Sequence, residues 1–216
     1  MKIKSLFFDF DGVIADSVGC KTDAFREIYL SFGEDVASRV IVHHLNNGGV
    51  SRYEKFLYYH TKFLGKSINQ KELDALCKTF SNLVLDKVSE SDEIQGFTAF
   101  IREYGDKFNK WIITGTPTAE MNVILKRRKI DNLFVGAYGS PEKKSFWTEY
   151  IIEKHKLKRE EIAFLGDAKA DYKAAKNAGV KFVLHRSEAS GKFFDNKQCA
   201  EIDNFNSLWN LLKNLS

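Results

Sequence analysis

One short apolar run, residues 3–8 (IKSLFF), ends on Asp9-Phe10-Asp11-Gly12 and is then cut off from every other strand signal by about 75 residues of purely helical pattern. Within that stretch, residues 21–33 (KTDAFREIYLSFG) carry Ala24, Phe25, Ile28 and Tyr29 on one face, with Gly33 as the expected stop. Ser51 and Glu54 form an S-x-x-E capping box ahead of an apolar-periodic segment that closes at Gly65. Asn69 precedes another amphipathic segment with Leu73, Leu76, Phe80, Leu83 and Val84 at helical spacing.

After residues 89–94 (SESDEI) the rhythm changes to strand–turn–helix. Residues 110–114 read as a strand, with Thr116 as the cap and Pro117 as the first position of the next helix. Strands are predicted over 134–138, 161–165 and 180–185, with a weak one near 200–203; helices are predicted over about 145–157 and 169–178, the latter closed by Gly179, and over the Leu-rich C-terminus. Strands alternating with helices imply a parallel sheet covered on both faces. The predicted fold class is therefore α/β: a doubly wound, Rossmann-like core made of residues 1–16 and 91–216. An all-helical cap, residues 17–90, is inserted into it, with hinges near 15–19 and 88–95.

The 216 residues are 44% hydrophobic and 29% charged with only 2 prolines, a balance that excludes a disordered chain. Lys and Arg number 33 against 29 Asp and Glu, a net charge of +4 spread along the chain. That mild excess suits small anionic substrates and argues against nucleic acid; the basic run 126–129 (KRRK) reads as the cationic end of a helix. Cys20, Cys77 and Cys199 lie far apart with no metal-finger spacing, as expected of reduced thiols. No apolar run approaches the ~20 residues of a membrane span, and the N-terminus turns acidic too early for a secretory signal. A cytoplasmic protein with no membrane contact is expected, as a monomer or weak homodimer.

Open parallel sheets bind ligands at the carboxyl ends of their strands. There the sequence places Asp9 and Asp11, then Thr114-Gly115-Thr116, then Lys143-Lys144, then Gly166-Asp167 with Asp171. Asp9 and Asp11, two apart in extended chain, are expected to face the crevice roughly 6–7 Å from each other, with Gly12 allowing a sharp turn beneath them. Asp9, Asp11, Asp167 and Asp171 together form a hard-oxygen pocket suited to Mg²⁺. One of Lys143 and Lys144 is expected to reach inward to an anion, against the alternative that both point to solvent. Thr114 and the backbone N–H groups of Gly115 and Thr116 offer donors to the same anion, although an ordinary strand residue is the competing reading for Thr114. His43, His44 and His60 lack zinc spacing and read as solvated or packing residues. Acids, a hard cation, a lysine and a hydroxyl at one crevice suit phosphoryl transfer, and the absence of a GxxxxGK[ST] loop excludes a P-loop enzyme.

DFDGVIADS, Thr114 after WII, the lysine in GSPEKK and GDAKADYKAAKNAG together resemble the four ordered motifs of the haloacid dehalogenase superfamily, in the subgroup with a helical cap between the first two motifs. The resemblance implies that Asp9 is the nucleophile attacking phosphorus. It implies Asp11 as general acid for the leaving group and then base for the hydrolytic water. It further implies that Mg²⁺ is held by Asp9, the Asp11 carbonyl and Asp167, and that Thr114 and a lysine, better aligned at Lys144 than at Lys143, bind the phosphoryl oxygens. Asp171 would orient the lysine or metal-bound water. Members that displace halide lack an acid at the second aspartate position, so Asp11 points to a phosphatase.

In the cap, residues 46–52 (NNGGVSR) form a polar, glycine-rich turn placed to reach over the crevice. Arg52 at its end is expected to contact a phosphate or sugar hydroxyls, or else to face solvent from an interhelical loop. GGVSR is similar to the cap segment of β-phosphoglucomutases, which implies a sugar-phosphate ligand. Those mutases carry a histidine shortly after the first motif where this chain has Lys21, a further cation near the phosphate. The expectation is a Mg²⁺-dependent phosphatase for a small phosphorylated metabolite, a sugar phosphate or phosphoglycolate-like acid. The rivals are a phosphomutase and a non-catalytic phosphate-binding or regulatory module on the same fold.

Overall fold

The computed structural model describes residues 2–187, 190, 192–195 and 199–215. Six strands, β1 (Ser5–Phe8), β2 (Asn109–Pro117), β3 (Gly136–Ser140), β4 (Ile162–Gly166), β5 (Lys181–His185) and β6 (Ala200–Ile202), form one all-parallel sheet in the order β3-β2-β1-β4-β5-β6. β1 lies at the centre, with Phe8 paired to Ile112 on one side and Leu165 on the other. All four of its residues are buried, as a strand flanked by two neighbours and covered on both faces requires.

Alternation along β1 divides its side chains between two cores. Leu6 and Phe8 pack with Ile112, Met121 and Phe205 on the face covered by α5 (Phe97–Tyr104), α6 (Thr118–Arg127) and α9 (Leu208–Asn214). Phe7 packs with Trp111, Ile113 and Phe164 on the other face, under Ile151 of α7 (Lys144–His155) and Ala174 of α8 (Lys169–Asn177). Between β1 and β2 the chain makes the expected helical insert: α1 (Val18–Leu30), α2 (Glu34–Asn46), α3 (Arg52–Phe63) and α4 (Gln70–Glu90). The insert has its own aromatic centre, where Phe25 meets Phe80 at 4.4 Å, Phe56 at 5.4 Å and Tyr59 at 5.7 Å between ring centroids. The predicted cap is present at Ser51, whose Oγ accepts the Glu54 N–H at 3.3 Å, and Asn69 and Glu72 form a reciprocal box at the start of α4.

Four local expectations are corrected. α1 ends at Leu30, and Gly33, at φ +102°, is the residue before α2 and not the stop of α1. Residues 97–104, passed over in the sequence, form α5 because Phe97 and Phe100 close the lower core. β3 lies two residues later than 134–138, since the Phe134 ring packs edge-on against Phe8 at 6.2 Å and is drawn beneath the sheet. Thr116 does not cap α6: it belongs to β2, its hydroxyl is turned to Asp11, and Pro117 precedes the helix with no side-chain cap.

Insert and core are tied by Arg52, which is 4% exposed. Its guanidinium donates to both oxygens of Glu120 on α6, at 2.8 and 2.6 Å, and to Ser81 Oγ on α4 at 2.6 Å, and it lies 4.6 Å from the Phe80 ring centroid. Removing one member of a buried pair strands the other charge, so Glu120→Ala should lower stability by about 3 kcal/mol in urea denaturation; a loss within ~0.5 kcal/mol, as at an ordinary surface site, would show that the pair does not hold the two parts together.

Candidate active site

β1 delivers Asp9 to the carboxyl edge of the sheet with its side chain 4% exposed. Asp9 Oδ1 accepts the N–H of Phe10 at 2.7 Å, and Oδ2 lies 2.7 Å from Lys144 Nζ. Lys144 opens α7 and is buried, whereas Lys143 beside it is exposed; of the two lysines, Lys144 is the one that reaches the crevice. The same ammonium donates to Asp171 Oδ1 at 2.6 Å, and Asp171 Oδ2 accepts the Ala168 N–H at 3.1 Å in the first turn of α8. Burial opposes the Lys144 charge, but Asp171 and Asp9 outweigh it and hold its pKa above the ordinary lysine value.

Asp167 completes the group. Asp9, Asp167 and Asp171 bring carboxylate oxygens within 4.8 Å of one another. Asp167 has no hydrogen-bond or ion-pair partner among the described residues. Burial, then repulsion from Asp9 and Asp171, pushes its carboxyl well above the usual range. Asp171 is raised as well, mainly by burial, with Lys144 opposing. Two of the three acids share one ammonium, all donors are oxygen, and the third carboxylate lacks a partner among the described residues; this set fits a hard divalent cation such as Mg²⁺. Gly12, at φ +75°, leaves room for it: a Cβ there would run into the Asp167 carboxylate.

The fourth acid of the sequence reading is not in this group. The Asp11 carboxylate turns to Lys21, bonded to Oδ2, and to Ser17 Oγ, which donates to Oδ1 at 2.6 Å. Thr116 Oγ1 lies between Lys21 Nζ, at 2.7 Å, and Asp11 Oδ2, at 3.2 Å. Burial favours the neutral acid, yet Lys21 and then Ser17 keep the Asp11 pKa below its ordinary value. As a metal-ligand side chain Asp11 is therefore corrected: its carboxylate is held by Lys21. Lys21 in turn is not a free cation, because Asp11 and Thr116 take its ammonium.

Gly115 and Thr116 line the β2 end of the same space and Thr114 is buried just before them, with one difference from expectation. The Thr116 N–H donates to Thr114 Oγ1 at 3.2 Å and is spent within the loop, which leaves the Thr114 hydroxyl proton as a donor. Arg52 does not face solvent: it is buried, Glu120 and Ser81 take three of its five N–H groups, and it is among the residues that line the cavity. The glycine-rich turn does lie over the crevice. A Cβ on Gly49 would come within 3.3 Å of Lys144 Nζ, one on Gly48 within 3.0 Å of Ala168, and one on Gly115 within 2.8 Å of the Gly49 carbonyl, so only glycines allow this approach. Beneath the turn is a cavity of about 520 Å³ lined by Asp9, Asp11, Lys21, Phe25, His44 and Asp167, among others. Ser17 and the hydroxyl of Thr116 were missed at the site; the period-2 alternation that puts Thr116 on the side of Thr114 was the available signal for the second.

A parallel sheet with a covered crevice at its carboxyl edge, three converging acids and a buried lysine defines a hydrolase acting on an anion beside a cation site. The profile of the haloacid dehalogenase-like hydrolases matches residues 6–185, and the chain belongs to that family. It is 26% identical over 191 residues to a phosphoglycolate phosphatase of Pseudomonas putida, covering 82% of this chain and 67% of that one. The fold is similar to CbbY from Rhodobacter sphaeroides, solved in complex with phosphate, at TM-score 0.75 and 15% identity over 98% of this chain and 99% of that one. It is also similar to the hydrolase YfnB from Bacillus subtilis, solved bound to magnesium, at TM-score 0.68 and 17% identity over 99% and 100% of the two chains.

Acids whose folded pKa is raised stabilise the fold below their unfolded pKa and cease to do so as pH climbs through the folded value. Metal-free protein should therefore lose this contribution above about pH 4, the ordinary carboxyl value. Added Mg²⁺ should raise Tm more at about pH 8 than at about pH 5, where protons compete for the acids. Asp167→Asn should abolish that difference; an equal Mg²⁺ gain in wild type and variant would show that the cation binds elsewhere.

Proposed function

We propose that this phosphoric monoester hydrolase is a Mg²⁺-dependent phosphatase acting on a small phosphorylated metabolite, a sugar phosphate or a phosphoglycolate-like acid, through a phosphoaspartate on Asp9. Residues 17–90 serve as the cap, residues 1–16 and 91–216 as the catalytic core, and the enzyme works in the cytoplasm without nucleic acid or membrane as partner. The observation that carries the reading is the Asp9 carboxylate, fixed by Lys144 at 2.7 Å and by the Phe10 N–H at 2.7 Å, facing an unpaired Asp167 inside a covered cavity.

Asp9 attacks phosphorus with one carboxylate oxygen while the other keeps its own protein donor; the P–O bond to the leaving group breaks as the bond to Asp9 forms. Lys144 and the Thr114 hydroxyl bind the phosphoryl oxygens. Asp9 and Asp167 would hold Mg²⁺, which would supply positive charge to offset that of the incoming phosphate. Asp11 gives a proton to the leaving oxygen and then takes one from the water that cleaves the phosphoaspartate. With its pKa lowered by Lys21, Asp11 rests as the base; a phosphate dianion competing for Lys21 favours the acid form needed in the first half. Asp171 holds Lys144 in register through its 2.6 Å bond.

Asp9→Asn should cut phosphate release by about 10³-fold or more while leaving the melting profile folded. Undiminished release would end the nucleophile assignment. Release of inorganic phosphate without a bisphosphate activator separates hydrolysis from mutase action.

A further inference from the structure

Around the cavity each buried cation but one has an acid: Arg52 has Glu120, Lys21 has Asp11, and Lys144 has Asp9 and Asp171. The exception is Lys55 on α3, 2% exposed, with no carboxylate partner among the described residues. Its Nζ is 2.8 Å from His44 Nδ1 and 3.5 Å from the His44 carbonyl, and lies 5.6 Å from the Phe25 ring centroid. An ammonium held this deep without an acid is expensive, and the cost is offset when an anion arrives.

His44 stands between that charge and the cavity it lines. Burial and the Lys55 ammonium push its pKa far below the ordinary value, so the ring is neutral. Since Nδ1 accepts from Lys55, the ring proton is assigned to Nε2. The hydrogen bond of the His44 ring among the described residues is the one at Nδ1, and the ring is held against Phe25 at 4.8 Å between centroids. His44 lines the cavity together with the cap residues Leu45, Asn46, Gly48 and Gly49, so an N–H donor with an ammonium behind it stands in the cap's wall of that cavity.

We propose that His44 and Lys55 form an oxyanion-reading subsite in the cap, selecting phosphate esters whose leaving group carries a second anionic group, a carboxylate or another phosphate. His44 Nε2–H donates to that group, and Lys55 positions the ring and supplies the charge. The inference rests on the phosphatase reading and adds the class of leaving group to it. Burial, then repulsion from Lys21, brings the Lys55 pKa down to about 7, with Asp11 and Asp167 opposing and Lys144 adding to the shift. The anion would therefore be held best below that pH, where Lys55 is charged.

The test compares kcat/KM for phosphoglycolate, fructose 1,6-bisphosphate and ethyl phosphate, with Mg²⁺ present, in wild type, Lys55→Met, His44→Leu and His44→Gln. Wild type should prefer phosphoglycolate if the subsite reads a carboxylate, or the bisphosphate if it reads a phosphate, over ethyl phosphate. Lys55→Met and His44→Leu should each reduce that preference by about 10-fold or more, chiefly through KM, as loss of a hydrogen bond to a charged group does. His44→Gln, which keeps a donor near Nε2, should recover most of it. Lys55→Met removes an ammonium that has no acid partner, so it should melt no lower than wild type. An unchanged preference in folded Lys55→Met and His44→Leu, or a wild-type preference for ethyl phosphate, would overturn the subsite alone. No phosphate release from any ester by wild type would instead sink the phosphatase reading beneath it.

Discussion

A single ammonium shared by two buried carboxylates organises this molecule. Lys144 reaches from the start of α7 to Asp9 at 2.7 Å and Asp171 at 2.6 Å, and so pins together three elements: the end of β1, the first turn of α8 and the loop after β3. None of the three charges is tolerable there alone, since each sits at the edge of a sheet whose strands are apolar and covered on both faces. The acids still outnumber the ammonium, and Asp167, without a partner among the described residues, carries the imbalance. The three acids exceed the one ammonium by two charges, an imbalance equal to the charge of a single divalent cation.

The helical insert covers that edge and forms one wall of the cavity. Its aromatic centre around Phe25 keeps α1 to α4 together, the Arg52–Glu120 pair ties α3 to α6, and the glycines of residues 48–49 let a backbone turn rest on Lys144 and α8. Tyr29 and His60 bond to each other at 2.9 Å, and His43 stacks on Tyr58 at 4.2 Å, so these histidines are packing residues as their spacing implied. Water excluded by such a roof strengthens the electrostatic contacts beneath it. The insert's wall of the cavity differs from the sheet edge: Asp9, Asp11 and Asp167 come from the edge, whereas the insert brings Lys21, Arg52, Phe25, Phe80 and His44.

The parts of this arrangement that could be read from sequence are those written locally. The apolar runs of β1 and β4 end abruptly on Asp9 and Gly166-Asp167, and parallel-sheet geometry brings such ends to one edge; the caps at Ser51 and Asn69 are equally local. What escaped depends on distant contacts. Thr116 has the composition of a helix cap but continues β2 because its hydroxyl finds Lys21 and Asp11. Arg52 was read as a free cation because nothing near it in sequence announces Glu120, sixty-eight residues on. Lys144 could not be told from Lys143 until the helix phase placed one inside and one outside. His44 looked like packing, and is, yet the lysine that polarises it comes from the next helix.

The account's central claim is a covalent bond between phosphorus and the Asp9 side chain. It is tested most directly by quenching the enzyme during turnover, reducing with borohydride, and mapping the product by mass spectrometry, since an acyl phosphate is reduced to an alcohol where a free carboxylate is not. Homoserine at position 9, appearing only with substrate and Mg²⁺, is the predicted result. Phosphate release with Asp9 unmodified and another carboxylate reduced, Asp11 for example, would contradict it.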